Sequence, residues 1–272
     1  MQPCLSQTLT LQCSFLEDVQ HFAAAGAQAM VVWLTKLEQA VAAYGLERLR
    51  EALGQRQLRA VAAAGQGGLF SATGEQRRLA FDQFQKRLGL CQALGIETVI
   101  VACDFPHIAE AGDWEQALRQ LRLTAQLAAS YQIRLALEPQ GRAAFCASLD
   151  TLVRVVESCG EANVGVNLDV FQYYIGPSKP EDLALLTASN LFFVELSDLA
   201  GIPREWALDR HRILPGDGEF HLQPILDHLR RIGYSGYVAV EAPNPDFWSM
   251  NPVRVAETAL RALERLLQTK ND

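Results

Sequence analysis

The sequence predicts an α/β fold, a (β/α)8 or TIM barrel, formed by residues 1–272 as a single domain. Short runs rich in Val, Ile, Leu and Ala alternate with helical stretches at a period of roughly 30 residues, the size of a βα unit. Eight such runs occur, and they are apolar almost throughout, as in a parallel sheet buried on both faces. The chain of 272 residues also has the length of such a barrel.

The eight predicted strands, in chain order, are residues 3–6, 29–34, 58–64, 98–103, 133–137, 164–168, 191–196 and 237–240. Between them, apolar residues recur at spacings of three and four, as at Ala80, Phe84 and Leu88, which is typical of a helix packed on one face. Ser148 precedes one such stretch as a cap, and Gly95 follows another where a helix should end.

A doubly wound open sheet is the alternative fold. That fold normally carries a Gly-x-Gly-x-x-Gly turn after an early strand, and the sequence contains none. No Ser/Gly tract, charge block or low-complexity stretch separates two cores, so we expect one domain.

Composition excludes several function classes. The 24 basic and 31 acidic residues give a formal charge of −7, the wrong sign for binding a nucleic acid backbone over a broad surface. There is no apolar run of about 18 residues and no signal-like N-terminus, so we expect a cytoplasmic protein without a membrane partner. The six cysteines form no Cys-x-x-Cys pair and are expected to be reduced.

Four acids stand at the carboxyl ends of predicted strands in the second half of the chain: Glu138, Asp169, Glu195 and Glu241. In a barrel these ends meet at one mouth, and like charges packed there need protons or a cation to neutralise them. No histidine ends a predicted strand, and an all-oxygen set favours Mn²⁺ or Mg²⁺ over Zn²⁺. One alternative is that these acids only cap helices and pair with arginine. Another is that Asp198 is the functional acid, while Glu195 pairs with an arginine.

Other polar residues near predicted strand ends are candidates for binding a small substrate. Trp33, Lys36 and Gln66 follow strands of the first half, and Lys36 and Gln66 suit hydroxyl or carboxylate groups. Arg212 lies in the long loop after the seventh strand and could reach an anionic or hydroxylated substrate.

Five motifs resemble, in order, those of the xylose isomerase-like TIM-barrel superfamily of sugar phosphate isomerases and epimerases. The similarity runs from about residue 85 to the C-terminus. The motifs are Leu137-Glu138-Pro139, Asn167-Leu168-Asp169-Val170-Phe171, Val194-Glu195-Leu196-Ser197-Asp198, the segment from Arg212 to Gly218, and the segment from Gly233 to Glu241.

The resemblance implies one divalent ion, Mn²⁺ or Mg²⁺ with Co²⁺ as an alternative, on Glu138, Asp169, Glu195 and Glu241. The implied activity is isomerisation or epimerisation of a small sugar-like hydroxy-carbonyl compound through an enediolate, with Glu138 and Glu241 moving the proton. The third ligand position is usually His or Gln in such enzymes and is Glu195 here. A frequent His three residues after the aspartate is replaced by Gln172, which cannot shuttle a proton and is instead a candidate substrate ligand.

Two other functions stay open at this point. The same residues acting on a polyol or inosose with a β-leaving hydroxyl would make a dehydratase. A catalytically silent barrel that binds a sugar or a protein partner is the other possibility, motivated by the departures at Glu195 and Gln172. The expected partner of the enzyme is a small carbohydrate, and a homodimer is the commonest assembly for a soluble chain of this kind.

Overall fold

Eight parallel strands form a single closed barrel in a computed structural model that describes residues 1–106, 108 and 110–268. The strands are β1 Gln2–Ser6, β2 Ala29–Trp33, β3 Arg59–Gln66, β4 Thr98–Ala102, β5 Arg134–Glu138, β6 Val164–Asp169, β7 Leu191–Leu196 and β8 Tyr237–Val240. Each strand pairs with its neighbours in sequence, and β1 pairs with β8 to close the cylinder. The predicted barrel is therefore confirmed.

Helices connect the strands and cover the outside of the barrel. They are α1 Phe15–Ala24, α2 Leu34–Tyr44, α3 Leu46–Arg56, α4 Gly74–Ala93, α5 Ala111–Ser130, α6 Leu149–Cys159, α7 Val170–Ile175, α8 Leu222–Arg231, α9 Pro245–Trp248 and α10 Pro252–Gln268. Short 3₁₀ turns at Gln7–Thr10, Pro180–Leu185, Arg204–Trp206 and Asp209–His211 lie in the connections. Within the described residues, no helix has both the length and the apolar character needed to cross a bilayer.

Local sequence explains where helices begin and end. Ser14 caps α1 by accepting from the backbone N–H of Glu17, whose carboxylate accepts in return from the backbone N–H of Ser14. Gly160 ends α6 in the left-handed conformation, which glycine adopts without a steric penalty. Strand β3 runs two residues further than predicted, to Gln66, because its pairing with β4 shifts register between Ala63 and Gln66.

The core has two main parts and a small third cluster of Phe171, Leu199 and Ala207. The larger part lies between the strands and the helices and contains most of the buried Leu, Val and Phe side chains. The smaller part fills the barrel interior with mainly small residues, namely Cys4, Ala29, Val31, Ala62, Ala64, Ile100, Ala136, Phe193 and Ala239. The polar layer of the functional site lies above this apolar filling, at the carboxyl ends of the strands.

Candidate active site

The barrel brings the four predicted acids to one mouth. Glu138 ends β5 and Asp169 ends β6, while Glu195 lies in β7 in register with Asp169 and Glu241 directly follows β8. Carboxylate oxygens of Asp169, Glu195 and Glu241 lie within 4.8 Å of one another, and all three residues are buried. Glu138 stands beside this trio on the cavity wall. We call these four residues the carboxylate cluster.

One guanidinium enters the carboxylate cluster from the loop after β7. Arg212 donates from Nη2 to Asp169 Oδ2 at 2.7 Å and forms an ion pair from Nη1 to Glu241 Oε2 at 3.0 Å. It also donates to Asp209 Oδ1 at 2.9 Å, and its guanidinium lies 4.3 Å from the centre of the Phe171 ring. Arg212 is almost completely buried, so these contacts hold it in a fixed place between β6 and β8.

Glu195 has too few partners for a buried acid. Its Oε2 accepts from Asn167 Nδ2 at 2.6 Å, but its Oε1 and the Oδ1 of Asn167 are both buried without a hydrogen-bond partner among the described residues. An unsatisfied buried polar atom is costly, so the site favours a further group at this point, either a proton or a cation.

Burial and the charges of neighbouring acids disfavour the charged form of Glu138, Glu195 and Glu241. Removal from water, followed by the negative charges of the neighbouring acids, raises the pKa of Glu138 and of Glu195 well above the ordinary range. Burial raises the pKa of Glu241 to about 7, although the Arg212 guanidinium acts in the opposite direction. A carboxyl group with a pKa of about 7, as at Glu241, can both accept and donate a proton at neutral pH.

A cavity of about 240 Å³ opens above the carboxylate cluster and is large enough for a small sugar-like molecule. Six of the predicted site residues line it, together with Thr8, Gln140, Asp209 and others. The six are Trp33, Gln66, Glu138, Gln172, Arg212 and Glu241. The ring of Trp33 lies against Gly65, where a Cβ atom would be 3.1 Å from the indole and where φ is +89°. Glycine at this position lets the indole form a flat wall of the cavity.

Two of the three glutamines that line the cavity, Gln66 and Gln172, are anchored by the protein itself. Gln66 accepts at Oε1 from Arg87 Nη1 at 3.1 Å, and Gln172 accepts at Oε1 from the backbone N–H of Gly141 at 2.9 Å. Because both carbonyl oxygens face internal donors, the amide nitrogens are the groups left to contact a ligand. The Gln66 nitrogen also donates to the Gly67 carbonyl at 2.8 Å.

The prediction that Lys36 binds substrate requires correction. Lys36 is buried, does not line the cavity, and donates from Nζ to Asp18 Oδ2 at 2.6 Å and to the Thr10 carbonyl at 2.7 Å. The prediction relied on the position of Lys36 just after β2. The partner of Lys36 lies in α1, and the sequence does not show that these two residues pack together.

Asp198, the alternative to Glu195, serves the loop after β7. Its carboxylate accepts from the backbone N–H groups of Leu199, Gly216 and Phe220, which fixes the loop that carries Arg212. Two further residues of the site are Asn167 and Asp209, which the pattern of acids at strand ends does not single out. They contact Glu195 and Arg212 respectively. Asn167 could have been found, since residues two apart in a strand face the same side and Asp169 faces inward.

The residues present fit a divalent cation. Three buried carboxylates converge, one of their oxygens lacks any partner, and a single guanidinium offsets four acids. Glu195, Glu241 and Asp169 would hold such an ion, with Glu138 at the edge of the site, and their hard oxygen atoms suit a hard ion. Arg212 already contacts two of these acids, Asp169 and Glu241. An ion would therefore lie beside the guanidinium and would not displace all of its contacts.

Comparisons with known proteins agree with this architecture. The sequence profile described as xylose isomerase-like TIM barrel matches residues 19–266. In solved structures, the IolI protein with a bound zinc atom superposes with a TM-score of 0.91 over 98% of both chains, at 20% sequence identity. At that level of identity the likeness concerns the fold.

Two relatives have named activities. An inosose isomerase of Halalkalibacterium halodurans is 26% identical over 183 residues, which are 65% of this chain and 64% of that protein. A 3-dehydroshikimate dehydratase of Pseudomonas aeruginosa is 28% identical over 189 residues, which are 68% of this chain but 28% of that protein. The chain thus spans somewhat less than two thirds of the first relative and a smaller part of the second.

Proposed function

Because the chain belongs to the xylose isomerase-like TIM-barrel family, we propose that it is a divalent-metal-dependent isomerase or epimerase of a small sugar-like hydroxy-carbonyl compound. The observation that carries this proposal is the meeting of Asp169, Glu195 and Glu241 within 4.8 Å beneath a cavity lined by Glu138. The similarity to an inosose isomerase supports the same class of substrate.

The reaction needs a group that takes a proton from carbon and a group that returns one. Glu138 and Glu241 both line the cavity, and they extend from β5 and β8 on different parts of its wall. Their raised pKa values allow a carboxylate to remove the carbon-bound proton of the substrate and a carboxylic acid to return a proton to the enediolate. Return to the neighbouring carbon gives an isomer, and return to the opposite face gives an epimer.

The other lining residues orient the substrate and keep water away. The Trp33 indole covers one side of the cavity, and the amide nitrogens of Gln66 and Gln172 can donate to hydroxyl or carbonyl oxygens. Arg212 holds Asp169 and Glu241 in place through its two nitrogens, so that Glu241 presents a defined oxygen to the cavity. A divalent cation, when bound, supplies polarisation of the substrate carbonyl and offsets the excess negative charge. The oxygen donors favour Mn²⁺ or Mg²⁺, with Co²⁺ as a substitute.

A dehydratase is the second candidate function. The similarity to a 3-dehydroshikimate dehydratase favours it, since removal of the same kind of proton followed by loss of a β-hydroxyl gives an alkene and water. The two candidates differ in their product: an isomerase conserves the substrate's mass, whereas a dehydratase lowers it by one water.

Deuterium exchange tests the proposal directly. The purified chain, supplied in turn with Mn²⁺, Mg²⁺ and Co²⁺, is incubated in heavy water with inososes and ketoses, and products are examined by NMR and mass spectrometry. We expect incorporation of deuterium at carbon with conserved carbon skeleton and with a dependence on added metal. A product that is lighter than the substrate by one water would favour the dehydratase. Absence of exchange with every compound and metal would contradict both enzymes and favour the silent sugar-binding barrel.

A further inference from the structure

A second group of potential metal ligands lies around the start of α1, apart from the carboxylate cluster. The thiol of Cys13, the carboxylate of Asp18 and an imidazole nitrogen of His21 have ligand atoms within 4.8 Å of one another. Cys13 immediately precedes the Ser14 cap, and Asp18 and His21 are three residues apart on one face of the helix. We call these three residues the α1 triad.

The ligand types of the α1 triad differ from those at the barrel mouth. A thiolate, a carboxylate and an imidazole are the mixed S, O and N donors that zinc and cobalt bind, whereas hard ions prefer oxygen alone. Ligand atoms around a tetrahedral zinc ion lie about 3.3–3.8 Å apart, given bond lengths of about 2.0–2.3 Å. The ligand atoms of the α1 triad lie within 4.8 Å of one another, so small side-chain movements would bring them to these distances.

The ring of His21 adds a second observation in favour of a ligand. The Nδ1 atom of His21 is buried and has no hydrogen-bond partner in the part of the chain that the structure describes, although the residue as a whole is partly exposed. A buried ring nitrogen is normally paired, and coordination to a metal is one of the standard ways of satisfying it. The partial exposure of Cys13 and His21 gives an ion a path from solvent.

Asp18 is held firmly by its neighbours and still has room for a ligand bond. Its Oδ2 accepts from Gln7 Nε2 at 2.9 Å and from Lys36 Nζ at 2.6 Å, so this oxygen is fully used. Its Oδ1 accepts only from Thr10 Oγ1, at 2.6 Å, and keeps a second acceptor position. These donors fix the carboxylate in place as outer-shell partners do at metal sites, and the Lys36 ammonium offsets its charge on the far side from Oδ1.

We propose that Cys13, Asp18 and His21 form a binding site for a thiophilic divalent ion of the zinc and cobalt type. Binding replaces the proton of the Cys13 thiol, which is released to solvent, and leaves a coordination position open to water beyond the three protein ligands. This site is distinct in its residues and in its chemistry from the one proposed at the barrel mouth, and it does not depend on the proposed isomerase activity.

Cobalt spectroscopy separates the two sites, because only a sulfur ligand produces an intense thiolate-to-cobalt charge-transfer band. Chelator-treated full-length protein is titrated with Co²⁺ and then with Zn²⁺ as competitor. We expect one thiolate-ligated cobalt per chain, bleaching of the band by zinc, loss of the band in Cys13→Ser, and at least a tenfold weaker Kd in His21→Gln.

Cys159→Ser is the matched control, because Cys159 is a free thiol on α6 with no role in the α1 triad, and it should retain the band. Circular dichroism of each variant shows that it is folded. If the wild-type protein gives no band with excess cobalt, or if Cys13→Ser keeps it at full strength, the α1 triad does not bind a metal. A band lost in His21→Gln but unchanged in Cys13→Ser would also overturn the assignment, since the thiolate would then come from another cysteine.

Discussion

The first and second halves of the barrel both carry polar side chains near their strand ends, but use them differently. In the first half, two charged residues near strand ends have fixed internal partners: Lys36 is paired with Asp18, and Asp104 accepts from the Gly68 backbone and the Ser71 hydroxyl. In the second half, four acids share one principal cation, Arg212, and an oxygen of Glu195 has no partner. Position at a strand end is thus common to both halves, whereas an imbalance of buried charge marks the candidate active site.

The contrast between the two halves indicates that burial alone does not identify a functional residue. A buried charge with good partners stabilises a loop, and its removal should reduce stability. A buried charge without enough partners costs stability and persists where it binds a ligand, so its removal should stabilise the protein and reduce activity. The following changes test both sides of that contrast.

The largest effect is expected for Glu241→Gln in the second half. Gln keeps the shape of the side chain but cannot accept the substrate proton, so deuterium exchange should fall by about 10²–10⁴-fold. Exchange rates at saturating metal measure this, and Glu75→Gln on the exposed start of α4 serves as the control. Exchange at the wild-type rate would remove Glu241 from the mechanism.

Lys36→Met in the first half should produce the largest loss of stability. Methionine fills the volume but leaves the buried Asp18 carboxylate without its cation, which costs about 3–5 kcal/mol. Urea unfolding of chelator-treated protein gives the free energy, and Lys86→Met on the exposed face of α4 is the matched control. If Lys36→Met unfolded at the same urea concentration as the control, the ion pair would contribute little.

Glu195→Gln should do the opposite and stabilise the metal-free protein, by about 1–3 kcal/mol. The folded-state pKa of Glu195 is raised by burial and by Glu241, so the wild-type protein loses stability as pH rises above the pKa of the unfolded chain. Gln does not titrate, and the gain in the variant should therefore be larger at pH 8 than at pH 5. Urea unfolding at both pH values measures it, and a gain that shrinks with rising pH would contradict the charge imbalance.

Asp104→Asn should have the smallest effect, a loss of about 1 kcal/mol. The side chain is partly exposed and keeps one acceptor oxygen for the donors at Gly68 and Ser71 after the substitution. Thermal unfolding beside Asp82→Asn, a substitution of an exposed acid in α4, isolates the contribution of the loop contacts. A loss of unfolding free energy as large as that of Lys36→Met would mean that partial exposure to water does not weaken the contribution of such contacts.

The barrel and the strands that carry the acids could be predicted from the sequence alone. Apolar runs that recur at a regular interval can be buried only as parallel strands, and the carboxyl ends of such strands meet at one mouth, so Glu138, Asp169, Glu195 and Glu241 could be placed together before any coordinates existed. Asn167 was within reach of the same reasoning, because the two-residue alternation of a strand turns it to the side that Asp169 faces.

Which charged side chains contact one another depends on the tertiary structure and could not be predicted from the sequence. Lys36 pairs with Asp18 of a different helix, Arg212 reaches Asp169 across 43 residues of sequence, and Cys13 meets His21 around a helix start. Periodicity fixes the face on which a residue lies, but the partner of a long side chain depends on how loops and helices pack over the strand ends. Coulombic and coordination energies depend on distances of a few ångströms, and those distances arise only when the whole barrel closes.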